Sequence, residues 1–230
     1  MDETGPGRAL GEAARRRLIE VSRFVPVDTG GGSSALKALV AADLIVTDGL
    51  SSIVEIGVWH GRFLLPASVA LDHLGRGTAI GIDPYSATAA EQHDDHDRGI
   101  DLIAWSHEVN WDGVHAAVLQ RVRDAGLEER VRIDRRTAAE AATDVAPASI
   151  DLLHVDGNHD AARVAEDVRT YLPKVRPGGY VLLDDCSWPS VAPSFAFLEA
   201  EHELLFRVFD SGHVRLFGEG FDDFAVFQVR

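Results

Sequence analysis

A chain of 230 residues with 22 basic and 37 acidic side chains carries a formal charge of −15, and 46% of its residues are hydrophobic. Those figures describe one soluble globular domain and weigh against nucleic acid or an anionic membrane as partner, since such a surface repels phosphate. The lone cysteine, Cys186, excludes an intramolecular disulfide; no apolar run reaches the roughly 20 residues of a membrane span and no secretory apolar core opens the chain, so a cytoplasmic location is expected.

Met1 to Gly11 mix Gly, Pro and charge without an apolar period, and helical patterning begins near Ala13. Gly30-Gly31-Gly32-Ser33-Ser34 interrupts it, and a second helix is expected from about Ala35 to Thr47. Residues 1–50 therefore read as a helical extension to a main domain at 51–230. Ile53 to Gly57 is the first central strand, Arg62 to Leu74 a helix, and Thr78 to Ile82 a second strand ending at Asp83-Pro84, which together make a βαβ unit. Val131 to Ile133, Ile150 to Val155 and Tyr180 to Leu183 continue the strands, with a helix from Ala161 to Tyr171. Glu203 to Phe209 and Phe224 to Val229 are close enough in sequence to form an antiparallel pair. The fold class expected is α/β, a doubly wound Rossmann-like mixed sheet, mostly parallel with an antiparallel C-terminal strand.

In Glu55-Ile-Gly57-Val-Trp-His-Gly61 a strand ends in glycine, a tight turn follows, and a second glycine precedes a helix. Asp83, at the end of the second strand, can accept from both hydroxyls of a ribose. Val58 and Trp59 fill the turn where a dinucleotide fingerprint needs its second glycine, so an adenosine cofactor without diphosphate fits better and a dehydrogenase is disfavoured. The pattern resembles the Glu-x-Gly-x-x-x-Gly signature of class I methyltransferases that bind S-adenosylmethionine.

Asp156 closes the fourth strand and Asp184-Asp185 the fifth, and in a doubly wound sheet those ends are neighbours. Three carboxylates there repel one another, which favours a divalent cation with oxygen ligands; Mg²⁺ is the ordinary choice, with Mn²⁺ or Ca²⁺ able to substitute. With the Pro177-Gly178-Gly179 turn, these residues resemble the metal-dependent O-methyltransferases, and most closely the macrocin and mycinamicin type that methylates sugar hydroxyls of antibiotics and glycolipids. The resemblance covers roughly residues 53–185. It implies S-adenosylmethionine contacts from Glu55, Gly57, Gly61, Asp83, Thr137 and Asp156, metal ligation by Asp156, Asp185 and Asp184, and a small hydroxylated acceptor. It also implies that His159 is the base, a task suited to an imidazole beside an acidified hydroxyl. The alternative for His159 is a helix-entry residue, with Asn158 or Asp160 capping the helix that follows.

Arg135-Arg136-Thr137 departs from the family's usual Gly-Asp-Ser-type wording at the adenine contact. Residues 86–115, rich in His, Asp and Trp, match in position a lid over the substrate; within them His93 and His96 could form a second metal site or only a solvated loop, and Trp105 and Trp111 could wall the acceptor or pack the lid. Trp59 and His60 either touch the methionine portion or face solvent. Cys186 reads as a buried filler, and Trp188 as a candidate wall of the acceptor pocket. N-terminal helices could pair subunits into a homo-oligomer. Two rival functions remain open, a metal-independent N-methyltransferase and a non-catalytic nucleoside-binding module.

Overall fold

Alternating β-rich runs and helices build one seven-stranded sheet in the computed structural model, which describes residues 35–94, 101–208 and 223–230 together with Glu12 and Arg16. In chain order the elements are α1 (Ala35–Asp48), β1 (Ser52–Ile56), α2 (Leu64–Leu74), β2 (Thr78–Ile82), α3 (Ala87–Ala90), α4 (Leu102–Glu108), α5 (Trp111–Asp124), β3 (Val131–Asp134), α6 (Ala138–Ala141), β4 (Ile150–Val155), α7 (Ala161–Tyr171), β5 (Val175–Asp184), α8 (Ala192–Glu201), β6 (Glu203–Val208) and β7 (Phe224–Gln228). The helix expected from Ala13 and the break at Gly30 to Ser34 lie outside the described residues, except that Arg16 is helical and pairs with Glu12.

The sheet order is β3-β2-β1-β4-β5-β7-β6. Strands β1 to β5 pair in parallel, and β7 runs antiparallel to both β5 and β6. The chain winds outward from β1 to β3 and then returns to β4 on the other side of β1. That reversal opens a crevice outside the carboxyl ends of β1 and β4, where ligands bind in doubly wound sheets.

Period-two alternation sorts the strand side chains into two cores. Ile53, Leu152 and Leu182 pack beneath Ala41, Ile45, Leu64 and Leu71 of α1 and α2, whereas Val54, Leu153 and Leu183 pack against Val164 and Val168 of α7 and Leu198 of α8. Each large aliphatic side chain buried this way contributes about 1.5–3 kcal/mol before entropic costs. Continued upward along the α1 face, the same alternation places polar groups where the core should end. Glu55 follows Ile53, His154 and Asp156 follow Leu152, and Asp184 follows Leu182, with Glu55 directly opposite His154 in the register.

Strand β5 begins earlier than its sequence suggests, and Pro177-Gly178-Gly179 lies inside it. The cause is the C-terminal strand: Gly178 N–H donates to the Val229 carbonyl and Val229 N–H to the Gly179 carbonyl, each at 2.8 Å, which draws the turn residues into the ladder. The pairing with β4 shifts between Ile150 and Leu152 to accommodate it.

Candidate active site

The turn after β1 joins three strand ends. Gly57 N–H donates to the Ile82 carbonyl and Asp156 N–H to the Ile56 carbonyl, both at 2.9 Å, and Gly61 N–H closes the turn on the Val58 carbonyl at 2.8 Å. Gly57 has φ +85°, and a Cβ there would come within 2.7 Å of Gly157 Cα and closer still to the Asp156 carbonyl. The glycine is therefore dictated by the passage of the β4 backbone. Asp83 is buried, and its carboxylate accepts from the amides of Val58 and Trp59, each at 3.0 Å, and from Tyr85 at 2.7 Å. Burial pushes its pKa up against the pull of those amides. Both oxygens of the expected ribose ligand thus already fix the turn. Trp59, at φ +49°, leaves its buried indole N–H without a hydrogen-bond partner, a donor suited to a bound molecule.

Glu55 is 1% exposed, beneath this turn, with Oε1 3.0 Å from His154 Nδ1. Burial first and Asp156 second raise Glu55 well above the carboxylate range, while burial and then Lys37 hold His154 well below its ordinary value. Both shifts favour the uncharged forms of the carboxyl and the imidazole.

Among the described residues two groups of ligand-type side chains converge, and Asp156 belongs to both. The lower group, His154, Asp156 and Asp184, surrounds a lysine. Lys37 of α1 is fully buried, donates to Asp156 Oδ2 at 2.8 Å and is ion-paired with Asp184. Burial alone would lower Lys37, but the two carboxylates overcome it and hold the ammonium above its usual value. For Asp156 the balance is similar: burial pushes up, and Lys37 with His159 and His154 outweighs it to hold the group well below the usual range. Asp184, buried beside Asp156, is pushed upward despite Lys37.

The upper group is Asp156, His159 and Asp185, with ligand atoms all within 4.8 Å of one another. His159 Nε2 stands 3.2 Å from Asp185 Oδ2 and 3.6 Å from Asp156 Oδ1, yet neither ring nitrogen makes a hydrogen bond of ordinary geometry. Burial would lower His159, but the Asp185 and Asp156 charges raise it, and Asp185 is pushed up to about 6, chiefly by burial. Two carboxylates and an imidazole gathered in this way fit a hard divalent cation.

The walls are set by side chains from several elements. The Trp188 ring lies 4.8 Å from that of His159. Asn158 Nδ2 donates to the carbonyls of Ala89 and Glu91, and Asp160 accepts from the amides of His93 and Asp94 at 2.7 and 2.8 Å. Asp160 stands at the N-cap of α7 without a side-chain capping bond, and the Ala161 amide donates instead to Asp94 Oδ2 at 2.7 Å, a side-chain cap from the other segment. Trp105 and Trp111 both pack on Trp59, with ring centroids 5.3 Å away. Thr137 caps α6 in a reciprocal arrangement with Glu140. Arg136 pairs with Asp134 and Asp144, and Arg135 with Asp112 of α5. Cys186 is buried, its thiol pushed up by burial. His93 joins neither ligand group, and His96 lies outside the described residues.

His60 is pushed down to about 4, by burial first and the Arg121 guanidinium second. The folded state therefore resists a proton that the unfolded chain accepts near pH 6.5, so stability falls as pH drops from 6.5 towards 4. Between pH 7.5 and 4.5 the wild type should lose about 2–4 °C more in Tm than His60→Gln. Equal losses in thermal melts would count against this role.

A family model described as a methyltransferase domain matches residues 54–186, more than half of the chain. The chain belongs to that methyltransferase-domain family. The R132 protein of Acanthamoeba polyphaga mimivirus is 27% identical over 145 residues, covering 61% of this chain and 56% of its own, and the y4gI protein of Sinorhizobium fredii is 43% identical over 54 residues, 24% of this chain and 6% of its own. The chain thus spans little more than half of one of these relatives and a small part of the other. Among solved structures, the O-methyltransferase NovP aligns with a TM-score of 0.66 at 15% identity, over 94% of this chain and 99% of its own. TomG of Streptomyces achromogenes, an O-methyltransferase involved in tomaymycin synthesis and solved with SAM, aligns at 0.60 and 17% over 96% and 91%.

Within this methyltransferase domain and the helix before it, the sequence reading missed Lys37, His154 and Asp94. Lys37 had one signal: it is one of only two lysines in the chain and interrupts the apolar run of α1. His154 had another, since it stands at an inward position of an otherwise apolar strand. Asp94 had none, because its partner is 67 residues away.

Proposed function

We propose that the domain transfers a methyl group from S-adenosylmethionine to a hydroxyl of a small molecule with help from a divalent cation, Mg²⁺ being the natural choice. The observation that carries this reading is the convergence of Asp156, His159 and Asp185 at the carboxyl ends of β4 and β5, beside the β1 turn. When bound, the cofactor supplies a methyl group on a sulfonium centre and the cation supplies a Lewis acid that acidifies a hydroxyl. Asp156 and Asp185 would hold the cation, with the His159 imidazole beside them. The turn from Gly57 to Gly61, with the Trp59 indole N–H, Asp83 below and Thr137 at the neighbouring strand end, would hold the cofactor. His159 takes the acceptor's hydroxyl proton at a ring nitrogen and Trp188 gives the acceptor an apolar wall. Most of the acceleration is assigned to holding reactants in line. Three carboxylates and the Lys37 ammonium sum to −2, which one divalent cation neutralises. A sugar hydroxyl of a secondary metabolite is the finer form of the acceptor, carried over from the resemblance of residues 53–185.

A second reading, metal-independent N-methylation, draws on Lys37, which already supplies a counter-charge to Asp156 and Asp184. Calorimetric titration separates the two. Heat from S-adenosylhomocysteine should persist in EDTA, a separate Mg²⁺ heat should vanish in Asp156→Asn, and methylation of a panel of hydroxylated acceptors should stop in EDTA. An undiminished rate in excess chelator overturns the metal-assisted reading in favour of the second.

A further inference from the structure

The two ligand groups at the strand ends share Asp156, but a cation already fills one of them. Lys37 reaches down from α1, fully buried, with Nζ 2.8 Å from Asp156 Oδ2 and in contact with Asp184. Asp184 belongs only to this lower group, with His154; its oxygens do not join the cluster of Asp156, His159 and Asp185. The alternation of β5 explains the separation, because Asp184 points to the α1 face with Leu182 while Asp185 turns away at φ +49°. Asp156 uses Oδ2 for the ammonium and presents Oδ1 towards His159.

We propose that Lys37 is a positioning residue for the cation site: its ammonium engages Asp184 and one oxygen of Asp156, so that the chain's carboxylate ligands are Asp156 and Asp185 and exclude Asp184. The inference rests on the cation reading above. It makes α1 a structural part of the site, supplying the charge that lets a third carboxylate stand beside the ligands. It also fixes which Asp156 oxygen is left for the cation.

The test is Mn²⁺ affinity, measured by calorimetry and by electron paramagnetic resonance of free Mn²⁺, on purified folded chains. Removing Asp184 alone is ambiguous, because the buried ammonium would then compete for Asp156 whether or not Asp184 is a ligand. Lys37→Met should tighten Mn²⁺ binding about ten-fold, since a nearby positive charge is removed and Asp184 is released; a merely structural lysine would give weaker or unchanged binding. Lys37→Met/Asp184→Asn keeps the net charge and should bind Mn²⁺ within about three-fold of the wild type. Lys37→Gln/Asp184→Asn, which retains a neutral hydrogen-bonding pair, replaces it if the apolar pair does not fold. A loss of about a hundred-fold in the double variant would make Asp184 a ligand and overturn the inference while leaving the cation reading intact. A wild type that takes up no Mn²⁺ at all overturns both.

Discussion

Asp156→Ala should lower methyl transfer at least about a thousand-fold, with Mn²⁺ binding lost in parallel. No other side chain is shared by the two ligand groups, and its loss acts on three partners together. The Lys37 ammonium keeps Asp184 but loses its 2.8 Å partner, His159 loses one of its two flanking carboxylates, and the cation site loses an oxygen ligand. The stability cost should be moderate, about 1–3 kcal/mol, because Lys37 still faces Asp184 and the backbone bond from Asp156 N–H to Ile56 is retained. The checks are turnover with an acceptor that the wild type uses, Mn²⁺ titration and a thermal melt of the same sample. A folded Asp156→Ala chain that retains a tenth of the wild-type rate would remove Asp156 from the chemistry.

Gly57→Ala should be among the most damaging single-methyl additions in the domain. The new Cβ would meet the Asp156 carbonyl and Gly157 Cα, both backbone atoms that cannot rotate away, and the residue would also sit at φ +85°. Relief requires parting β1 from β4 at the central pair of the sheet, a cost of about 3–5 kcal/mol and a fall in Tm on the order of 10 °C. Gly75→Ala is the control. Gly75 has φ +68° at the end of α2 but nothing within 4 Å of its added methyl, so only the strain of the left-handed region remains, about 1 kcal/mol. Similar melting temperatures for the two variants would show that the strand ends yield more readily than their packing implies.

The strands were legible because their signal is local. A short β-branched run bounded by Gly or Pro identifies itself, and β2, β4 and α7 have the bounds read from the sequence. The meeting of Asp156 with Asp185 was legible as well, since parallel neighbours bring consecutive strand ends together. What the sequence hid was the division of labour among acids. The sequence gives no sign that the carboxylate at the end of β2 also holds the adjoining turn, as Asp83 does by accepting from three backbone amides. Lys37 was hidden for a different reason. Its partners are 119 and 147 residues away, so no periodicity or spacing connects them. The early start of β5 was missed because Pro-Gly-Gly has the local chemistry of a turn, overridden here by pairing with residues near the end of the chain.

The exchange of hydrogen bonds between residues 89–94 and 158–161 bears on how acceptor specificity could be re-engineered. Asn158 holds the carbonyls of Ala89 and Glu91, Asp160 holds two amides of the earlier segment, and Asp94 in turn caps α7. Each stretch thus relies on the other for part of its backbone hydrogen bonding. A chimaera that imports a foreign segment starting at Ser86 would strip the cap from the helix behind His159 and blunt catalysis for reasons unrelated to the new acceptor. Splicing beyond Asp94, or transplanting both stretches as a matched set, keeps the loop that carries His159 seated while the remaining residues of that segment are varied.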